Sequence, residues 1–142
     1  MRIRELTMAD YDSLVQLWEE SGLPYRPKGR DRWDRIDAQL KEPWSVFLVA
    51  EEDGRLLGAV LGTHDGRRGW INRLVVSPAH RKRGIGAALV AEVEARLEPL
   101  GIEIFTCLIE TWNEDSMRFF ERIGFVEHDE CVYYSKRKNP DV

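Results

Sequence analysis

The sequence has few cysteines, no long hydrophobic run and no excess of positive charge. Its two cysteines, Cys107 and Cys131, form no CxxC pair and have no metal-ligand spacing with the three histidines, which argues against a zinc site and a disulfide framework. We interpret them as reduced thiols in a cytoplasmic protein. No apolar stretch approaches the roughly 20 residues of a membrane span, and residues 1–14 are too polar for a secretory signal. These absences predict a cytoplasmic protein with no metal and no membrane partner.

The residues that are present fit one soluble domain. The chain has 142 residues, a length that predicts a single domain over residues 1–142. A domain of this size buries roughly 70% of its unfolded surface, which is enough for a stable core without disulfide bonds. Apolar residues make up 43% and charged residues 32% of the chain, the usual balance of a globular protein. The formal net charge of −4 argues against a nucleic-acid partner, because such proteins usually carry a basic excess.

Hydrophobic periodicity alternates along the chain between the spacing of strands and that of helices. The dipeptides Asp53-Gly54 and Asp65-Gly66 predict two hairpin turns, and the unit from Trp70 to Ile109 is long enough for a parallel crossover. The pattern therefore predicts an α/β fold with a mixed, mostly antiparallel central sheet flanked by about four helices. Strands are expected at Ile3–Leu6, Ser45–Glu51, Arg55–Thr63, Gly69–Val76, Ile102–Ile109, Phe125–His128 and Cys131–Ser135, and helices at 7–21, 31–42 (capped by Asp31), 85–97 and 113–123 (capped by Asn113).

The segment 74–90 has the composition of an anion site. It runs from a strand through a polar loop and two glycines, Gly84 and Gly86, into a helix. Glycine lets a backbone approach an anion closely, and free N–H groups at a helix N-terminus bind phosphate oxygens. The neighbouring side chains of Arg81, Lys82 and Arg83 add positive charge. These residue types predict a diphosphate cradle, the alternative being a loop whose basic side chains are merely solvated.

Two common phosphate motifs do not fit this segment. A P-loop ends in Gly-Lys-Ser/Thr, whereas Gly86 is followed by Ala87. A dinucleotide fingerprint needs three glycines directly after a strand, whereas here a polar loop intervenes and the third glycine is missing.

A further motif indicates which family of anion-binding proteins this segment resembles. Arg81-x-x-Gly84-x-Gly86 resembles the Arg/Gln-x-x-Gly-x-Gly/Ala signature of the GCN5-related N-acetyltransferase (GNAT) superfamily. Upstream, Leu74, Val76 and Pro78 resemble that family's Leu-x-Val-x-Pro pattern. Downstream, the family's second motif is resembled by Asn113-x-x-Ser116-x-x-Phe-Phe-Glu-Arg-x-Gly124-Phe125, and the match is strong over Trp70 to Phe125. The resemblance implies the GNAT fold and an acyl-CoA-dependent N-acyltransferase, with acetyl-CoA as co-substrate and an amine of a small molecule or peptide as acceptor, attacked directly in a ternary complex.

The resemblance also implies which residues bind the coenzyme. The strands 70–76 and 103–109 would splay apart, and the edge formed by Leu74, Val75 and Val76 would pair with the pantetheine arm. Asn113 would lie near that arm or the thioester, with Ser116 and Phe120 of the same motif beside the coenzyme. The pyrophosphate would be held by the backbone N–H groups of Arg83, Gly84, Ile85, Gly86, Ala87 and Ala88, with the side chain of Arg81 or its neighbour Lys82 reaching a phosphate.

The usual catalytic pair of the family is missing from its usual places. Asn72 stands where many members carry glutamate, and Phe120 stands where many carry a tyrosine acid. A phenyl ring has no proton to donate, and an amide is not a base, although Asn72 can hold a water. Glu110 is one candidate for a base acting through water, with a plain surface carboxylate as the alternative. Tyr133 or Tyr134 is a candidate acid.

By analogy, the acceptor site lies between the first two helices and the C-terminal hairpin. Aromatic residues of that region either wall an amine pocket or belong to the core. Its basic residues suit an acceptor with a carboxylate or phosphate, or form a solvated face with interleaved aspartates. The aromatic residues are Trp18, Tyr25, Trp33 and Trp44, and the basic ones Arg26, Lys28, Arg30, Arg32 and Arg35.

Two other hypotheses remain open. The departures at Asn72 and Phe120 also suit a non-catalytic module that binds acyl-CoA as a sensor or interaction partner. A nucleic-acid contact through arginines such as Arg67, Arg68 and Arg73 is disfavoured by the acidic total charge. An exposed strand edge would permit a homodimer, although nothing in the sequence requires one.

Overall fold

The computed structural model describes residues 1–142 and contains one five-stranded sheet in the order β1-β2-β3-β4-β5. The strands are β1 (Arg2–Glu5), β2 (Ser45–Glu52), β3 (Arg55–His64), β4 (Gly69–Val76) and β5 (Phe105–Thr106). The first three pairings are antiparallel, and β4 pairs with β5 in parallel. The predicted mixed, mostly antiparallel sheet is therefore confirmed.

Four α-helices cover the two faces of the sheet. They are α1 (Tyr11–Glu20), α2 (Trp33–Leu40), α3 (Ile85–Leu97) and α4 (Glu114–Arg122). On one face Trp18 and Ile36 of α1 and α2 are buried against the sheet, and on the other Leu89 and Val93 of α3 are buried. None of these helices has the length and apolar character needed to cross a bilayer.

The first predicted hairpin turn has the expected chemistry. Asp53 and Gly54 connect β2 to β3 with φ values of 51° and 76°, the left-handed pair of a tight hairpin turn. At the second hairpin the Asp65 carboxylate accepts the N–H groups of Arg67 (2.9 Å) and Arg68 (2.8 Å). These bonds lower the pKa of Asp65, because they favour its charged form.

Asp31 does not cap α2, contrary to the sequence prediction. The helix begins at Trp33, and the flanking residue is Arg32, without a side-chain cap. Asp31 is 5% exposed, and its carboxylate accepts the N–H of Arg26 at 2.6 Å. The aspartate therefore closes the loop before the helix instead of capping the helix itself.

The predicted C-terminal strands are absent, and the strand at 102–109 is shortened to Phe105–Thr106. Over residues 126–142 the backbone makes a single bond to itself, from the N–H of Val142 to the carbonyl of Asn139. Val132 and Tyr134 are 74% and 88% exposed. The prediction failed because short alternating segments become strands only where a neighbour accepts their hydrogen bonds and buries one face.

Candidate functional site

The strands β4 and β5 part after two residues. Gly69 pairs with Phe105 and Trp70 with Thr106, after which β4 continues to Val76 with no partner on that side. The predicted strands 70–76 and 103–109 thus leave a gap between them, and one edge of β4 lies open along it.

The open edge of β4 presents backbone donors to the gap. The N–H of Ser77 donates to the carbonyl of Leu57 in β3 at 2.7 Å. Because successive backbone N–H groups of a strand point in opposite directions, the N–H of Val76 points away from β3 and into the gap. The Arg81 side chain reaches the same place, with its Nε 3.4 Å from the Val76 carbonyl oxygen.

The loop between β4 and α3 is a concave run of backbone amides. Lys82 and Gly84 have left-handed φ values of 65° and 80°, which in alternation with right-handed residues turn successive N–H groups to one side. No protein acceptor takes the N–H groups of residues 83–87. The N–H of Ala88, which the sequence assigned to the same cradle, instead donates to the Gly84 carbonyl at 3.0 Å, because it closes the first turn of α3.

The two glycines of the loop serve different purposes. A Cβ on Gly84 would meet nothing within 4 Å, so its left-handed φ of 80° is what favours glycine there. A Cβ on Gly86 would lie 3.1 Å from two ring atoms of Phe119. Gly86 therefore permits the close approach of α3 to α4, a packing role that the motif alone did not indicate.

The three basic side chains of the loop are not equivalent. Arg83 pairs with Glu52 at the end of β2, 3.2 Å away, and this partner lowers the pKa of Glu52. Arg81 and Lys82 are exposed and form no ion pair. The positive charge available to an anion in this loop thus comes from Arg81 and Lys82.

The second motif forms the start and the core face of α4. The side-chain amide oxygen Oδ1 of Asn113 accepts the backbone N–H of Ser116 at 3.2 Å, as expected of a helix cap. Phe120 is 7% exposed, and its ring packs edge-on against Phe119 and Phe125, with centroids 5.1 Å apart in each case. The position of the family's usual tyrosine is thus filled by a core side chain.

Comparison with known proteins identifies the family. Residues 3–125 match the family model described as the acetyltransferase (GNAT) family. The chain belongs to the acetyltransferase (GNAT) family. It is accordingly an N-acetyltransferase by family.

Solved structures share the fold of this acetyltransferase. An aminoglycoside 6′-N-acetyltransferase from Acinetobacter haemolyticus aligns with a TM-score of 0.80 at 20% identity, over 98% of this chain and 100% of that one. The PaiA N-acetyltransferase from Thermoplasma acidophilum, solved with coenzyme A, aligns with a TM-score of 0.80 at 20% identity, over 90% of this chain and 91% of that one. A third structure, the aminoglycoside acetyltransferase AAC(6′)-Iy with a bisubstrate analogue, aligns with a TM-score of 0.80 at 19% identity, covering 96% and 97% of the two chains.

The acetyltransferase does not assemble the candidate acid and base into one pair. Glu110 has an exposed side chain. Tyr133 is 65% exposed in a segment that pairs with no strand, so nothing in the fold fixes its hydroxyl. Asn72 is half-buried on β4, beside the gap. Burial raises the pKa of the half-buried Cys107 thiol to about 11, so this side chain is neutral near pH 7 and is not a thiolate nucleophile.

The predicted aromatic wall is divided between two ends of the molecule. Trp18 is fully buried with its ring 5.8 Å from that of Tyr25. Trp44 is 47% exposed and lines a surface groove of about 580 Å³ with His64 and Leu100. This groove adjoins the hairpin where β4 begins, whereas the amide loop follows the end of β4. Trp44 therefore does not belong to the same site as Trp18.

From the sequence, Arg73 is a candidate only for a nucleic-acid contact. In the structure it lies in a bulge of β4, which the sequence does not predict. The pairing with β3 shifts between Ala59 and Leu61. Ile71 packs in the core under α3 and Val75 in the core under α1, although residues four apart in a regular strand share a face. The bulge places the Arg73 guanidinium over the Trp18 ring, 4.2 Å from its centroid. No pattern in the sequence indicates this extra residue.

Proposed function

We propose that this acetyltransferase binds acetyl-CoA between the amide loop and the open edge of β4, and transfers the acetyl group to an amine by direct attack in a ternary complex. One observation carries the proposal: the N–H groups of residues 83–87 are unpaired in the loop that follows the part of β4 from which β5 has separated. Five free donors at a helix N-terminus complement a pyrophosphate, and the left-handed φ of Gly84 aims them at one point.

The open edge of β4 suits the pantetheine arm. An extended chain with amide groups can add to a sheet edge as a further strand does, and residues 74–76 offer that edge. The N–H of Val76, which faces the gap, is the donor that we assign to the thioester carbonyl, since an N–H aimed at a developing oxyanion stabilises it. Asn113 and Ser116, at the start of α4, would border the same arm.

The relatives support the same chemistry. PaiA from Thermoplasma acidophilum was solved in complex with coenzyme A. AAC(6′)-Iy was solved with a bisubstrate analogue that joins coenzyme A to an acetylated neamine. We extend from these proteins a coenzyme A thioester as donor and a small-molecule or peptide amine as acceptor.

Deprotonation of the acceptor falls largely to solvent. An alkylammonium has a pKa near 10.4, so one proton must leave before the nitrogen attacks. The nitrogen–carbon bond forms as the carbon–sulfur bond breaks. The nitrogen then loses a further proton to water, and the leaving thiolate takes a proton from water. We assign Asn72 to hold such a water at the gap and Glu110 to accept a proton through water. Positioning of two substrates supplies much of the acceleration in such a mechanism.

Two measurements test the proposal. Calorimetry should show coenzyme A binding, and release of free thiol from acetyl-CoA should depend on an amine in a broad acceptor panel. Binding without turnover on any acceptor would favour the acyl-CoA sensor, the alternative that Phe120 and Asn72 suggest. No heat with coenzyme A at millimolar concentration would contradict both functions.

A further inference from the structure

The Arg73 side chain is buried at the bulge in β4. Its φ of 56° is left-handed, a strained conformation for a residue with a Cβ. Its side chain is 18% exposed, and its guanidinium lies on the Trp18 ring. Burial lowers the pKa of Arg73, because a cation loses hydration there. A fold that keeps a strained, buried cation at this position needs a compensating partner.

The partners that the protein itself supplies are incomplete. Nη1 donates to the Pro24 carbonyl. Nη2 is 3.7 Å from the nearer carboxylate oxygen of Asp31, beyond hydrogen-bond distance. That oxygen already accepts the N–H of Arg26 at 2.6 Å. Nε and Nη2 of Arg73 and the indole N–H of Trp18 are buried and have no hydrogen-bond partner.

All three unpaired groups are donors, and two of them share one edge of a guanidinium. The Nε–Nη2 edge is a rigid fork that matches the two oxygens of a carboxylate or phosphate. The Asp31 carboxylate partly opposes the fall in the pKa of Arg73, and the neighbouring Arg30 adds to it as a second positive charge. An oxyanion is the kind of partner that would accept hydrogen bonds from these three donors.

The position of Arg73 relates this oxyanion to the acetyl transfer. Arg73 precedes Val76 by three residues, which is roughly 10 Å along a strand, and its side chain lies on the α1 face of the sheet. We propose that Arg73 binds the anionic group, a carboxylate or a phosphate, of the amine acceptor and thereby selects acceptors that carry one. The inference rests on the proposed function, since it assigns the acceptor of that same site.

Matched acceptor pairs test the assignment. β-Alanine is compared with β-alaninamide, and phosphoethanolamine with ethanolamine, in the thiol-release assay. We expect kcat/KM to favour the anionic member of at least one pair by about tenfold or more, and the pair that shows it identifies carboxylate or phosphate. Arg73→Lys keeps the charge but removes the fork, so the preference should fall at least fivefold, mainly through the acceptor KM. Arg67→Lys, on the exposed hairpin before β4, should keep it.

A binding measurement keeps the proposal falsifiable without turnover. In the wild-type protein loaded with coenzyme A, β-alanine or phosphoethanolamine should shift the Nε–H resonance of Arg73 in NMR spectra, and the neutral partners β-alaninamide and ethanolamine should not. If the resonance does not respond, or if wild type uses anionic and neutral acceptors equally, Arg73 is only a clamp between Trp18 and the loop at Pro24. Probe binding at Arg73 without transfer to any amine would contradict the proposed function and, with it, the acceptor role of Arg73, whereas transfer without a response at Arg73 would overturn this inference alone.

Discussion

At the scale of single residues, similar side chains have different roles according to their surroundings. Gly84 is required by its backbone conformation, whereas Gly86 is required by the ring of Phe119. Arg83 is paired with Glu52, whereas Arg73 is buried without full pairing. The consequences of substitution therefore differ between members of each pair.

Gly84→Ala should weaken coenzyme A binding about five- to tenfold in calorimetry. The substitution strains the left-handed backbone by roughly 1 kcal/mol and turns the amides of the loop away from their common point. Gly22→Ala is a matched control, because Gly22 also has a positive φ of 70° with open space around it. It should lower the melting temperature by a similar amount and leave coenzyme affinity unchanged. Equal affinities of the two variants would show that the loop geometry is irrelevant to binding.

The Cys107 thiol should make the free energy of unfolding depend on pH in alkaline solution. Burial raises its pKa from 9.0 to about 11, so above pH 9 the unfolded chain loses this proton more readily than the folded one. The contribution is fully present below pH 9 and is lost as pH rises towards 11. Denaturant unfolding of Cys107→Ala should show a shallower decline over that window. Cys131→Ala, at an exposed position, should keep the wild-type slope; identical slopes for all three proteins would refute the assignment.

Tyr133→Phe should retain kcat within about twofold, because nothing in the fold holds the hydroxyl near the gap. The same thiol-release assay measures it. A loss above tenfold would restore Tyr133 as the general acid.

At the scale of elements, the β2–β3 hairpin lies against the amide loop and adds a negative charge beside it. Glu52 ends β2 and binds Arg83 across to the loop. A phosphate entering the loop therefore competes with a carboxylate for this arginine. The hairpin thus reduces the positive field of the loop in which we propose that the coenzyme binds.

Glu52→Gln should tighten coenzyme A binding about two- to fivefold, a modest gain because solvent-exposed ion pairs are weak. The plot of log affinity against log salt concentration should also steepen as Arg83 becomes available to phosphate. Calorimetry at several salt concentrations measures both effects. Glu20→Gln, which removes one charge from α1, should change neither. Weaker binding by Glu52→Gln would mean that the pair holds Arg83 in place for the ligand.

The sequence predicted elements where local chemistry decides them and failed where distant partners decide. The turn at Asp53-Gly54 and the cap at Asn113 follow from residue type alone and are confirmed. The bulge at Arg73 depends on the register of β3, and the use of the Asp31 carboxylate depends on a loop folding back onto it. Phe120 could be excluded as an acid from its identity, but its core packing required the arrangement of α4 against the sheet.

At the scale of the whole molecule, no assembled proton relay lies beside the gap in which we propose that the two substrates meet. Asn72 borders the gap, while Glu110 and Tyr133 are exposed and are not held together. The rate should then follow the ionisation of the acceptor rather than that of a fixed side chain.

The logarithm of kcat/KM should rise with a slope near one up to the pKa of the acceptor amine. Two acceptors of similar size but different amine pKa should give profiles that are displaced by that difference. Steady-state rates over pH 6–10 measure this. A common inflection near pH 6–7 for both acceptors would instead identify a protein base with a tuned pKa.

The interrupted pairing of β4 also bears on how the protein behaves in storage. A bare strand edge is the surface on which polypeptide chains stack into aggregates. An occupant of the gap would cover it and, at a hundred times its Kd, would add about 2.7 kcal/mol to stability by mass action. Purification with coenzyme A present should therefore give longer shelf life and less turbidity than purification without it.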